Sequence, residues 1–515
     1  MITHELDVGG ETKQFDIAII GGGINGASAA QHLSAAGYSV FLAEQDDFAS
    51  GATSRSSRLL HCGLRHLANG ETFWRNLSQP KQLLKSIFTA RHDMLARDDI
   101  ARNLSNRVRK IDFYLPIYNS DKYSPWQLDA AFTALKCANP FGEPLNYRRV
   151  SKPQFDSIPI APWLRDAGDL QQIAVFSEYL FDWPERIAFD CLFSAEKQGA
   201  TVCNYTRLTK VDRLAEDDGW QLTLRSEKNG IETSANEYRI SAKLVMNLAG
   251  AWIDQVIRSS GSNAEPKCSG VKGIHIAMRL PDVFQNCGVF SYNSLGEPLY
   301  CLPFRGLHYV GLTRTAHDGD PAGVVADDQE IAWMIGEINR AMPRLNVQPE
   351  DVLYTWAGVN PLTRDPVHSL GSREVKIHDL AADNLNGIFS LTGGAIMTHR
   401  RVARQLVRLA SKTLGPRQKP LDREDAVHYP DVAEMDFLDA AKHCARHEKP
   451  ATLADLMLRR LGVGWEPDQG RDLAPEVAQL VAPIMGWDTA KIEKEVLAYK
   501  AILGTERRKP LDLAM

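Results

Sequence analysis

The sequence predicts an α/β protein that opens on a parallel β-α-β unit, continues through β-rich middle segments and ends in an all-helical C-terminal region. Three observations carry this. A strand, glycine turn, helix and second strand follow one another at residues 15–47, and strand-like segments separated by polar turns recur from 201 to 315. After residue 431 only helical patterns and caps occur. A chain of 515 residues is long enough for two or three domains.

The first element, FDIAIIGGGINGASAAQHLSAAGYSVFLAEQDD, opens with a short apolar run at Ile17 to Ile20 that reads as a buried parallel strand. Gly26 to Ala36 reads as an alanine-rich helix closed by Gly37, and Ser39 to Ala43 as a second strand ending at Glu44. Residues 71–140 read as mainly helical, with WRNLSQPKQLLKSIFTARHDML the clearest periodic part. Strands are expected in TVCNYTRLTKVDRL, WQLTLRS and LVMNLAG, then in CGVFSY, LYCLPF and HYVGLTRT. A helix at 328–341 and the strand-like DVLYTWAGVNPL follow. GIFSLTGGAIMTHRRVARQLVRLASKTLG is strand, glycine turn and long amphipathic helix, and the Pro- and charge-rich segment 415–431 is the best linker. In the tail, TLAD at 452–455 is a capping-box pattern, Pro475 suits a first helical position, and Asp488 can cap the last helix.

Bulk properties narrow the function. Hydrophobic residues at 44% and charged residues at 24% describe an ordinary globular chain, and a net charge of −5 argues against a dedicated nucleic-acid binder. The eight cysteines form no CxxC pair, so neither a zinc site nor a disulfide framework is expected, and a reducing, cytoplasmic setting is the default. The polar N-terminus lacks signal-peptide character, and no apolar run is long enough to span a bilayer.

Gly21, Gly23 and Gly26 form GxGxxG directly between a strand and a helix. The first glycine permits the tight turn, the second lets a pyrophosphate approach the backbone, and the third allows close helix–strand packing. The helix N-terminus offers N–H groups to phosphates, and Glu44 is placed to accept from a ribose hydroxyl. This is a Rossmann-like dinucleotide site. FAD is favoured over NAD because the partner elements arrive far downstream: LVMNLAGAW near 244–252, with Gly250, and LTGGAIMT near 391–398, with Gly393 and Gly394.

GGGINGASAAQHLSAAGYSVFLAEQDDFASGATSRSSRLLHCGLRHL resembles the N-terminal signature of FAD-dependent glycerol-3-phosphate dehydrogenases, within the D-amino-acid-oxidase-like flavoproteins. The resemblance continues through YLPIYNSDKYSPW, MNLAGAWID, VKGIHI, GLTRTAHDGDP, WAGVNPL, GGAIMTHRR and HEKPATLADLMLRRLG. It implies a discontinuous, Rossmann-like FAD-binding domain (1–85, 170–265 and 385–415), a mixed-sheet substrate-binding cap (86–169 and 266–384) and an all-helical C-terminal domain (416–515). It also implies oxidation of the secondary alcohol of glycerol 3-phosphate, or of a related small phosphorylated polyol, by hydride transfer to flavin N5. Electrons would pass to a quinone or another acceptor. Peripheral contact with the inner face of the cytoplasmic membrane and a homodimer through the tail are further expectations.

Carried over residue by residue, the resemblance puts Arg65 and Arg373 at the substrate phosphate, whose geometry matches guanidinium forks. His275 is the candidate general base, with a satisfied structural histidine as the competing reading. Ser54, Ser56 and Ser57 would serve the cofactor's diphosphate or flavin edge, and His66 and Thr398 the substrate side. The helix expected at 396–412 would point its N-terminus at the flavin pyrimidine. Two positions depart from the family pattern: its GVRPL arginine is Asn360 and its GGK lysine is Ala395. Arg314 stands where the family has an aspartate and is a candidate replacement for the missing charge. These departures leave two alternatives open: an FAD-dependent oxidase of an amine or hydroxy acid, and an FAD-binding protein that has lost turnover.

Overall fold

Ile17, Ala18 and Ile19 are fully buried at the centre of the first of two sheets, where strand Lys13–Ile20 has parallel neighbours on both sides. The computed structural model describes residues 12–67, 80–121, 124–166, 168–214, 219–227, 237–366, 368–417 and 430–509. The first sheet runs in the order Lys376–Asp379, Ile388–Thr392, Glu237–Asn247, Lys13–Ile20, Val40–Ala43, Thr201–Cys203. Strand Trp220–Ser226 attaches antiparallel to Glu237–Asn247, and Thr206–Arg213 pairs antiparallel with Trp220–Ser226 in turn. Buried on both faces, the central strands need continuous apolar runs rather than alternation, which is why they are legible in the sequence.

Helix Ile24–Ala35 packs on this sheet beside Pro184–Lys197 and His399–Leu414, sharing one apolar cluster with them. Its end is the expected glycine stop: Gly37 has φ +90°, its N–H donates to Ser34 O (2.9 Å), and the Tyr38 N–H donates to Leu33 O (3.2 Å).

The second sheet is mixed. Its path runs Thr315–Ala316, Cys268–Met278, Leu307–Gly311, Pro298–Phe304, Cys287–Tyr292, Val108–Tyr118, Leu170–Phe181, Leu59–Leu60, with Val352–Thr363 paired to Cys268–Met278. Here the structure corrects two expectations. The stretch read as mainly helical holds helices Pro80–Asn103 and Pro125–Ala138, but strand Val108–Tyr118 lies between them. Its period-two signal, Ile111, Phe113, Leu115 and Ile117 on one buried face, was masked by the helical pattern around it. The expected domain limits also cut across pairings. Leu170–Phe181 joins Val108–Tyr118 in the second sheet, whereas Lys376–Asp379 joins Ile388–Thr392 in the first. Strand register, not sequence proximity, decides the sheet. Residues 68–79, which begin the amphipathic stretch, and 418–429, most of the expected linker, lie outside the described residues.

The tail folds as Phe437–His447, a π-helical turn Asp455–Arg460, Ala474–Met485 and Thr489–Thr505. Its capping devices form as the residues dictate. The Thr452 Oγ1 accepts from the Asp455 N–H (3.2 Å), and Asp488 accepts from the Lys491 N–H (2.7 Å). A charge network fastens the tail to the first sheet. Arg460 donates from both terminal nitrogens to Asp47 (2.7 Å each), Arg459 donates to it through Nε (2.6 Å), and Asn204 donates to its Oδ1 (3.0 Å). Arg186 pairs with Glu448 (2.8 Å), both fully buried.

Burial alone would raise the Asp47 carboxyl, but the Arg460 and Arg459 guanidiniums hold it well below the usual carboxylate range. A depressed carboxyl contributes stability above its unfolded pKa that is lost as pH falls toward the folded one. Acid unfolding should therefore steepen below about pH 4. The Asp47→Asn variant should be less stable at neutral pH by about 3–5 kcal/mol, because the buried Arg460 loses its paired carboxylate and Arg459 keeps only Asp455. It should also have a shallower acid limb. Urea titrations from pH 3 to 8 check both.

Candidate active site

One cavity of about 680 Å³ runs from the glycine turn of the first sheet to the wall of the second. At its first end the backbone is packed too closely for side chains. A Cβ on Gly26 would lie 1.8 Å from Gly21 O, and one on Gly21 2.5 Å from Leu248 O. Gly23 faces Thr53, whose Oγ1 accepts the Ile24 N–H (3.0 Å) at the helix start. Gly250, at φ +58°, has open space where a Cβ would stand, on the cavity wall.

Glu44 ends the second strand as expected. Its carboxylate accepts the Gly22 N–H (2.7 Å) and the Asp46 N–H (3.0 Å) and lines the cavity. Burial pushes its carboxyl up to about 7 despite these backbone hydrogen bonds. These residues fit FAD: a glycine cradle for the pyrophosphate, an acid for a ribose, and a cavity long enough to lead from both to the second sheet.

The far end is cationic. Arg65 donates to Asp93 (2.8 Å) and Arg314 to Glu297 (3.1 Å), while Arg373 has no carboxylate partner among the described residues. Burial, then the charges of Arg65 and Arg314, lowers the Arg373 guanidinium to about 10. Tyr300 stands among them with its hydroxyl raised to about 12, chiefly by burial. His61, on the same wall, is driven well below its ordinary value by burial and then by Arg65 and Arg373.

His275 sits in strand Cys268–Met278 opposite Trp356, its ring stacked on that indole (centroids 4.8 Å, 11°) and edge-on to Tyr309 (5.7 Å). Among the described residues neither ring nitrogen has a hydrogen-bond partner, and burial lowers the imidazole to about 3. The ring is therefore neutral at working pH. Asn360 is exposed on the wall at the register position of Val271, and Ala395 lines the same cavity, so neither position supplies a charge.

The cavity thus brings together Gly21, Gly23, Glu44, Ser56, Ser57, Arg65, Gly250, His275, Arg314, Asn360, Arg373, Gly393 and Gly394. Four candidates lie behind the wall. Gly26 makes the helix–strand contact, and the Ser54 hydroxyl donates to Ala49 O (2.6 Å). His66 shares Asp93 with Arg65 (2.9 Å), and the Thr398 hydroxyl donates to Ala395 O (2.7 Å). The α-helix expected from 396 begins at His399, after a 3₁₀ turn at Ile396–Thr398. Sequence reasoning missed Thr53, Tyr300 and the tail residues Asp455, Arg459 and Glu506 on the wall. A threonine just before the serine-rich turn was a cue for Thr53; the others depend on long-range packing and left no local signal.

A glycine turn, a strand-end acid and a cavity crossing from a parallel to a mixed sheet define a two-sheet flavoprotein. The chain belongs to the FAD dependent oxidoreductase (DAO) family, which matches residues 16–409, and it is an FAD-dependent enzyme. Residues 412–492 match the C-terminal domain of alpha-glycerophosphate oxidase. A glycerol-3-phosphate dehydrogenase of Synechocystis is 28% identical over 411 residues, covering 77% of this chain and 70% of the relative. The aerobic glycerol-3-phosphate dehydrogenase of Staphylococcus haemolyticus is 27% identical over 420 residues, covering 79% and 69%. Among solved structures, the FAD complex of the Bacillus halodurans glycerol-3-phosphate dehydrogenase superposes with a TM-score of 0.69 at 19% identity, over 98% of this chain and 97% of that one. Glycine oxidase from Geobacillus kaustophilus gives 0.55 at 18% identity, over 78% and 95%; both are likenesses of fold.

A ribose hydroxyl donates more strongly to the ionised Glu44 than to its protonated form, and in the cofactor-free protein burial pushes this carboxyl up to about 7. FAD affinity should therefore strengthen as pH rises from 5.5 toward and past about 7, with release of one proton. The Glu44→Gln variant should bind FAD more weakly with a flat pH profile. Titration of apoprotein with FAD, followed by flavin fluorescence, measures both.

Proposed function

We propose that the chain is a dehydrogenase oxidising the secondary alcohol of a small phosphorylated polyol, with glycerol 3-phosphate the first candidate. The observation that carries the proposal is the cluster of Arg65, Arg314 and Arg373, three cations set against the two carboxylates of Asp93 and Glu297. Its uncompensated charge suits a phosphate dianion, and Arg373 is free to give both arms of its fork. An unphosphorylated polyol would leave that charge unpaired. The dehydrogenases of Synechocystis and Staphylococcus share this substrate by name.

Bound FAD supplies the two-electron acceptor. The chain's own residues do the rest. The arginine cluster anchors the anion and so fixes the position of the alcohol carbon along the cavity. His275, neutral and with both ring nitrogens unpaired, takes the hydroxyl proton; the nearby substrate anion favours the imidazolium that results. Arg314, on the cavity wall, supplies some of the charge that Asn360 and Ala395 lack. A quinone is the proposed final acceptor. Exposed Leu84 and Phe88 on helix Pro80–Asn103 support peripheral membrane contact; no helix among the described residues is long and apolar enough to cross a bilayer.

Glycerol 3-phosphate should bleach the flavin anaerobically, whereas glycerol and glycine should not. Bleaching by an amino or hydroxy acid alone would instead identify an oxidase of that class. A yellow protein bleached by none would identify a flavoprotein without turnover, as the uncharged Asn360 and Ala395 would allow. Arg373→Ala should lower kcat/KM by about one to two orders of magnitude, mostly through KM, for loss of a charged hydrogen bond. His275→Gln should lower kcat by about 10²–10⁴-fold with little change in KM. Steady-state kinetics with an artificial acceptor separate the two.

A further inference from the structure

We infer that the C-terminal helical domain is part of the cofactor site, forming its outer wall at the Glu44 end, with Arg55 and Glu506 as the clasp that retains FAD. The wall is built from hydrogen bonds that start beside Glu44. The Thr206 N–H donates to Glu44 O (2.7 Å) and the Tyr205 N–H to Asp46 O (2.9 Å). The Tyr205 hydroxyl donates to both oxygens of Asp455 (2.9 and 2.8 Å), and Arg459 donates to Asp47 (2.6 Å). Only two short chain segments therefore separate the acid of the ribose site from the tail. Asp455, Leu458, Arg459, Ile502 and Glu506 all face the same cavity as Glu44 and the glycine turn.

The two attachments of this wall differ in kind. The Asp47–Arg460 contact is desolvated on both sides (1% and 0% exposed) and does not open without unfolding its surroundings. The Arg55–Glu506 pair, at the end of helix Thr489–Thr505, spans 3.2 Å with side chains 23% and 44% exposed. It can exchange its partners for water. Arg55 is carried by the loop that follows Thr53 and presses on Gly358, where a Cβ would lie 2.8 Å from its own Cβ. The clasp thus joins the cavity-lining loop of the first half to the last helix, and parting it opens the wall around the fixed Asp47 anchor.

The test is FAD release from the holoenzyme, read as the flavin absorbance that stays with the protein at successive times after dilution with charcoal to trap released FAD. Each single reversal, Arg55→Glu and Glu506→Arg, should speed release about two- to fivefold, the range expected of a half-exposed ion pair. The double variant Arg55→Glu/Glu506→Arg should restore the slow rate. Release from the parent protein should quicken with added salt, and release from the single variants should not. Unchanged release in both single variants would overturn the inference. So would a double variant that loses FAD as fast as the product of the singles, since the two residues would then act independently. The readout is cofactor retention, so failure of the substrate assignment would leave it unaffected.

Discussion

The contact of Gly26 with the Gly21 carbonyl is the constraint on which the remaining geometry depends. No side chain fits there, so helix Ile24–Ala35 lies directly on strand Lys13–Ile20 and its N-terminus is brought over the strand ends. From that point the parallel neighbours follow. Val40–Ala43 delivers Glu44 on one side, and Glu237–Asn247 delivers the turn at Gly250 on the other. Ile388–Thr392 adds the third delivery, the Gly393–Gly394 turn, in register with the same sheet. Three turns separated by hundreds of residues converge because one sheet orders them.

The cavity that results is electrostatically polar along its length. At its cofactor end the carboxylates of Asp47, Asp455 and Glu506 are paired with Arg460, Arg459 and Arg55, whereas its far end is basic, with Arg373 lacking a carboxylate partner among the described residues. Burial makes this matter. Removed from water, Glu44 rises toward 7 chiefly through its own desolvation, and Arg373 falls toward 10 through desolvation and then the charges of Arg65 and Arg314. A ligand with hydroxyls at one end and an anion at the other is favoured in one orientation only.

The helical tail belongs to the same logic. A tail joined by apolar contacts alone could slide. Asp47, Glu185 and Glu448 each bind a fully buried guanidinium (Arg460, Arg58 and Arg186), and these pairs pin the tail and the loop at Arg58 in a single register, since a shifted register would strand buried charges. Arg58 also lies over Phe304 (4.5 Å) and Trp465 (4.1 Å), with Arg507 on Trp465 as well (3.8 Å). Second sheet, loop and tail thereby meet at one aromatic ring.

Local features were legible in the sequence because local physics produces them. The GxGxxG turn, the strand-end Glu44, the Gly37 stop, the caps at Thr452 and Asp488, and the strands of the first sheet other than Lys376–Asp379 all follow from residues within a few positions of one another. So did the motifs that point to FAD and to the DAO family. What only the tertiary structure decided is which distant residues share a wall. Strand Val108–Tyr118 hid between two helices because its alternation is outweighed until the second sheet buries one face. His66 and Thr398 turned away because Asp93 and the Ala395 carbonyl were nearer partners than the cavity. Tyr300, Arg459 and Glu506 reached the cavity through strand pairing and buried charge. Such contacts join residues hundreds of positions apart, and their energy exists only once the sheets have formed.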